Sequence, residues 1–161
     1  MVLIPIAHTT PINPPTTTPT LTHQQIWTGL LRKIHHAEEF VPIISSCEVL
    51  SDTDGVVERV VTFKEGQFAR REARETVRCF GREWVDFEQS DGTRIRNVVG
   101  RGGGGGELYM SYMFEVLVEG EEGSDGVEGE RGRLRDMAKK AVESSIDTIR
   151  AMVKDGRIPA E

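Results

Sequence analysis

An α+β fold, a curved antiparallel sheet wrapped around one long C-terminal helix, is predicted by three features of the sequence. Hydrophobic spacing changes from the helical period to a period of two near residue 43 and returns to the helical period at Leu134. The turn signals between those points lie too close together for crossover helices, so neighbouring strands must be antiparallel. The segment from Leu134 to Val153 carries an apolar stripe that an α+β protein buries against its sheet.

Taken in order, Val2 to His8 reads as extended, and Thr9 to Thr20 holds Pro11, Pro14, Pro15 and Pro19, which exclude a helix there. Pro11-Ile12-Asn13-Pro14 fits a P-x-x-P pattern without a flanking base and reads as an ordered crossing loop. Thr22 followed by Gln25 is a capping box, with Leu21 and Ile26 in the staple positions. Ile26, Leu30 and Ile34, with Trp27 and Leu31 beside them, mark one helix, and Ala37 to Val41 a second short helical piece stopped by Pro42. Turn signals at Asp52-Thr53-Asp54-Gly55, Glu65-Gly66, Gly81, Ser90-Asp91-Gly92 and Gly102 to Gly106 then divide six strands, about 43–51, 56–64, 68–80, 83–89, 94–100 and 107–118. An acidic, glycine-rich stretch over 119–132 is expected to be a flexible loop, as is 101–106. In the last helix Leu134, Met137, Ala138, Ala141, Ser145, Ile149 and Met152 share a stripe, and Gly156 ends it.

The 161 residues with 37% hydrophobic content are expected to form one domain, 1–161, with a single core. The net charge of -6 is local: Glu119, Glu121, Glu122, Asp125, Glu128 and Glu130 fall within twelve residues, and the remaining 20 acids balance 20 bases. A neutral body argues against nucleic acid or an anionic membrane as partner. No stretch has the apolar length of a membrane span, and Val2 to Ala7 is too short for a secretory leader, so a cytosolic (cytoplasmic) protein is expected. Cys47 and Cys79 lack metal or redox spacing and read as two buried thiols.

The segments Pro11-Ile12-Asn13-Pro14, Leu21-Thr22 through Trp27-Thr28-Gly29-Leu30, Phe40-Val41-Pro42, Cys47-Glu48-Val49, Val61-Thr62-Phe63, Val85-Asp86-Phe87-Glu88 and Gly106-Glu107-Leu108-Tyr109 run in an order and spacing that resemble the AtaL-like branch of the START-like, or SRPBCC, superfamily. The likeness spans nearly the whole chain and implies the helix-grip fold. It also implies a place in fungal secondary-metabolite biosynthesis, with a cyclisation, isomerisation or dehydration step that needs no cofactor. A non-catalytic carrier using the same cavity is the alternative. The chain departs from the family pattern at Arg101 with its five glycines and at His35-His36-Ala37-Glu38-Glu39.

No nucleophile elbow, P-loop, dinucleotide fingerprint or metalloprotease helix is present, so neither a cofactor nor a metal is expected. Arg70, Arg74, Arg78, Arg94 and Arg96 alternate with Glu58, Glu72, Asp86 and Glu88 at outward parity, a solvated cross-strand ladder. On the inward parity, Arg59 interrupts Val57, Val61 and Phe63, and Glu75 interrupts Ala73, Val77 and Cys79. A hairpin turning near Gly66 sets Arg59 opposite or diagonal to Glu75. With Asn97 and Tyr112 they converge on an apolar hollow, which is the composition of a small-molecule site.

Glu75 and Arg59 are therefore the candidate catalytic pair, Glu75 as general base. Asn97, Tyr112, Phe63, Val77, Phe87, Phe114, Met110, Ser145, Ile149 and Met152 are the candidate ligand contacts, and the expected partner is a hydrophobic small molecule. The same four polar residues are equally compatible with a buried ion pair that locks register and a satisfied core. A two-residue Asp91-Gly92 turn would pair Phe87 with Arg96 and force the arginine inward, so a longer loop or a bulge is expected there.

Overall fold

The computed structural model describes residues 1–67 and 70–161; the first two residues of the strand expected over 68–80 lie outside the described residues. Strands β1 (Val2–Pro11), β2 (Ile44–Thr53), β3 (Val56–Phe63), β4 (Glu72–Phe80), β5 (Trp84–Gln89), β6 (Arg94–Arg101) and β7 (Leu108–Val118) form one sheet in the order β1-β7-β6-β5-β4-β3-β2. Every neighbouring pair is antiparallel. Helix α1 (His23–His35) and the 30-residue helix α2 (Asp125–Lys154) supply the apolar surface that the concave face of this sheet covers.

Helix α1 begins where the capping box requires: Gln25 donates its amide to Thr22 Oγ1 at 3.1 Å, and Gln25 Oε1 accepts from the Thr22 amide at 3.0 Å. The second helical piece is only a 3-10 turn, Ala37–Glu39, because Pro42 leaves no room for a further helical turn. Asn13 shapes the crossing loop before α1 by accepting from the Leu21 amide and donating to the Leu21 carbonyl, both at 2.8 Å. Arg150 of α2 donates to the carbonyls of Pro19 and Ile12, so the loop is tied to the last helix as well.

The expected flexible loop over 119–132 needs correction, since α2 already starts at Asp125. Gly126, Gly129 and Gly132 each cost about 1 kcal/mol in a helix interior, which is why the stretch reads as a loop. Specific contacts offset that cost. Ser124 accepts from the Val127 amide, Val127 is fully buried, and Glu128 and Glu130 pair with Arg131 and Arg133 one turn on. The stripe of α2 is also broader than expected: Val142 and Ile146 are buried in the core, while Met137 and Ala141 are half-buried.

The β5–β6 turn is longer than two residues, as expected. Gln89 donates its amide to the Thr93 carbonyl, Phe87 lies opposite Ile95, and Arg96 pairs outward with Asp86 at 2.6 Å. Arg94 reaches both Glu88 and Glu115, and Arg78 also meets Glu88, which gives the ladder of alternating charge on the convex face.

At Gly29, a Cβ would stand 2.5 Å from Cγ1 and 2.7 Å from Cδ1 of Ile149, so only glycine lets α1 approach α2 this closely. Gly29→Ala gains about 1 kcal/mol in helix propensity but overpacks the contact by about 1–3 kcal/mol. The variant is expected to be net destabilised by about 1 kcal/mol in denaturant unfolding; because valine at 149 would keep the Cγ1 that the new methyl meets, the clash is relieved in Gly29→Ala/Ile149→Ala, whose loss should be smaller than the sum of the two single losses. An unchanged midpoint for the single variant would show that the helices can separate freely.

Candidate functional site

The hairpin β3–β4 places Arg59 directly opposite Glu75, and both side chains point inward and are buried. Arg59 donates from Nε and Nη2 to Glu75 Oε1 at 3.1 and 2.8 Å. Its Nη1 donates to the carbonyls of Lys33 at 2.9 Å and Ile34 at 2.7 Å, two of the groups that the end of α1 leaves without helical partners. Gln89 Nε2 donates to Glu75 Oε2 at 3.2 Å, and the guanidinium lies 4.9 Å from the centroid of the Phe87 ring. The pair is thus a joint between helix and sheet.

Beside it stands a residue that the sequence reading missed. Lys33 projects from the last turn of α1 into the interior, where its Nζ donates to Asn97 Oδ1 at 3.0 Å and to Tyr112 Oη at 2.9 Å. It lies 4.4 Å from the centroid of the Tyr112 ring. Only 7% of the residue is exposed, and among the described residues it makes no ion pair, because Glu75 is committed to Arg59 and Gln89. Its position was the available signal: Ile26, Leu30 and Lys33 follow helical spacing, so a cation occupies the buried stripe.

Burial lowers the Lys33 pKa to about 7, and the positive charge of Arg59 pushes in the same direction, while Glu75 opposes it. Burial raises that of Tyr112, against a hydrogen bond with Ser145, so the phenol keeps its proton. The four inward polar residues named from the sequence do converge, with Lys33 at their centre and Ser145 behind Tyr112.

A cavity of about 370 Å³ opens beside this cluster, between the sheet and the N-terminal half of α2. Lys33, Arg59, Glu75 and Tyr112 form its polar end, and Phe63, Phe87 and Phe114 are on its wall with Met137 and Ala141 of α2. Exposed Arg70, Asp91 and Arg133 form its rim. Asn97, Val77, Met110, Ser145, Ile149 and Met152, expected as ligand contacts, are buried in the core and do not line the cavity. The reason is that α1 packs against the C-terminal part of α2, where Gly29 meets Ile149, fills the space there, and displaces the hollow toward Ala141 and Leu134. Among the described residues there is no cluster of metal-ligating side chains, and no helix is long and apolar enough to cross a membrane.

Over residues 6–156 the chain matches the model of a family described as acetylaranotin biosynthesis cluster protein L. Three solved structures share the fold. The di-domain aromatase/cyclase StfQ of the steffimycin pathway superposes with a TM-score of 0.70 at 10% identity, covering 96% of this chain and 52% of that one. This chain therefore spans about half the length of StfQ. The Zhui aromatase/cyclase from a Streptomyces species gives 0.63 at 12% identity, covering 99% and 98% of the two chains. The solution structure of KanY gives 0.61 at 15%, covering 92% and 99%. No curated protein sequence matches the chain.

Two measurements probe the cluster. A lysine near pKa 7 when folded and about 10.4 when unfolded leaves the unfolded chain holding more protons between those values, so its burial penalty is full below pH 7 and is relieved as pH rises. Lys33→Met should raise the unfolding midpoint relative to wild type more at pH 6 than at pH 9.5. Equal shifts at both pH values would mean that Lys33 keeps its charge. Arg59→Met strands a buried carboxylate and two helix-end carbonyls, and is expected to cost about 3–5 kcal/mol in equilibrium unfolding; a loss under 1 kcal/mol would leave the joint without importance.

Proposed function

The chain belongs to the AtaL family, and from that premise we propose that it binds an apolar or amphipathic carbonyl compound and promotes a cyclisation or dehydration in secondary-metabolite biosynthesis, of the kind found in fungi. The observation that carries the proposal is the pairing of Lys33 with Tyr112 at the closed end of an otherwise apolar cavity. A neutral amine at Lys33 takes a proton from the carbon next to a ligand carbonyl. The Tyr112 hydroxyl donates to the oxygen on which enolate charge develops. Apolar walls hold the chain of the ligand folded and exclude water, and in a second turn of the same chemistry the protonated amine assists loss of hydroxide as water.

Glu75 remains a second candidate base because it lines the cavity, but its two oxygens already accept from Arg59 and Gln89. In this reading Arg59 and Glu75 position α1, and through it Lys33. StfQ and Zhui are aromatase/cyclases, which supports a cyclisation reading, and the family takes its description from a protein of a biosynthetic cluster.

The test is turnover of a poly-β-keto thioester analogue by wild type and three variants. Lys33→Met is expected to lower the rate by about 10²- to 10⁴-fold, Tyr112→Phe by about 10-fold or more, and Glu75→Gln by less than either. A rate for Lys33→Met equal to wild type would remove Lys33 as the base. Tight binding with no turnover by wild type would identify a carrier.

A further inference from the structure

Lys33 is placed to act as a nucleophile as well as a base. It is a primary amine on the wall of a closed-ended apolar cavity, with no carboxylate bound to it among the described residues. A hydroxyl that retains its proton stands 2.9 Å from its Nζ, and the nitrogen has two protein partners, which leaves a further direction open. The other four lysines, Lys64, Lys139, Lys140 and Lys154, are all exposed. Among the described residues Lys33 is the one amine sheltered from water, and it faces the space that a ligand would fill.

We propose that Lys33 forms a Schiff base with an aldehyde or ketone held in the cavity, so that the protein can carry such a compound as a covalent, reversible adduct. The proposal rests on the reading of the cavity as a carbonyl-ligand site. The Lys33 nitrogen adds to the carbonyl carbon, a C–N bond forms, and the carbonyl oxygen takes a proton from the nitrogen to give a carbinolamine. Tyr112 then protonates the hydroxyl, which leaves as water while the nitrogen lone pair closes the C=N bond, and the remaining N–H proton returns to the Tyr112 oxygen. One C=O bond is exchanged for one C=N bond and one water is released, with no oxidant or reductant.

Burial serves this chemistry twice. An amine held near pKa 7 is about half unprotonated at neutral pH, far more than an exposed lysine, and an apolar wall disfavours the water that would hydrolyse the imine. A charged lysine locked to a carboxylate would do neither. The commitment of Glu75 to Arg59 is what keeps Lys33 available.

The experiment uses 2-naphthaldehyde as probe and sodium cyanoborohydride to fix any imine as a secondary amine, with intact-mass and peptide-mass readouts on the full chain. The alcohol 2-naphthalenemethanol, which has the same shape and no carbonyl, reports non-covalent binding by calorimetry. A single adduct on Lys33, at least about tenfold above that on any exposed lysine, is expected, and it should vanish in Lys33→Arg. At saturating aldehyde, Tyr112→Phe should trap the compound at least about tenfold more slowly than wild type. Binding of the alcohol with no adduct on Lys33, or adducts spread evenly over the exposed lysines, overturns the Schiff base and leaves the cavity reading standing. If neither compound binds, both readings fall together.

Discussion

The guanidinium of Arg59 is the constraint on which the interior depends. It spends its donors on two kinds of partner at once, the carboxylate of Glu75 across the β3–β4 hairpin and the final carbonyls of α1. A helix end buried in an apolar interior needs such partners, since each unmet carbonyl costs about 1–3 kcal/mol. Because Arg59 meets the carbonyl of Lys33 itself, the backbone that carries the lysine is fixed relative to the sheet that carries Asn97 and Tyr112. The distance of 2.9 Å between amine and phenol is therefore a property of the joint as much as of the two side chains. The same joint occupies Glu75, and so leaves the lysine without a counter-charge.

Much of the architecture was legible because strands and caps are local. Arg59 and Glu75 could be paired from the position of Gly66 and the inward parity of each strand, and the register bears this out residue for residue. The capping box at Thr22 follows from four consecutive residues. Lys33 was not legible in that way. Helical spacing sets it on the stripe of Ile26 and Leu30, but a long cation at such a position can also extend to solvent, and the docking of α1 beneath the sheet decides that it goes in. The start of α2 was hidden for a different reason, since three glycines and a run of acids outweigh the two i,i+3 ion pairs in the sequence, and the burial of Val127 that anchors the first turn is a tertiary contact.

The displaced cavity follows the same division. The spacing of the last helix correctly identified small residues facing the sheet, but the space beneath Ser145 and Ile149 is taken by α1, at the contact that Gly29 allows. What is left open lies nearer the N-terminus of α2, from about one turn away at Ala141 to about three at Leu134, counted from Ser145. The rim there brings Arg70, Asp91 and Arg133 to the surface. A period of 3.6 residues can report which side of a helix is apolar, but it cannot report which other element already fills the space opposite.

The clasp formed by Arg150 and the crossing loop bears on how the chain folds. It joins positions 138 residues apart, and β1 pairs with β7 across the whole intervening meander. Contacts of such sequence separation are costly in loop-closure entropy and slow to form. The meander β2 to β7 is built of successive local hairpins, whereas β1, the crossing loop and α2 are joined by contacts of long sequence separation. During synthesis, then, the concave face stays uncovered until the final helix has left the ribosome, and the interior that shelters Lys33 is the last part of the molecule to become dry.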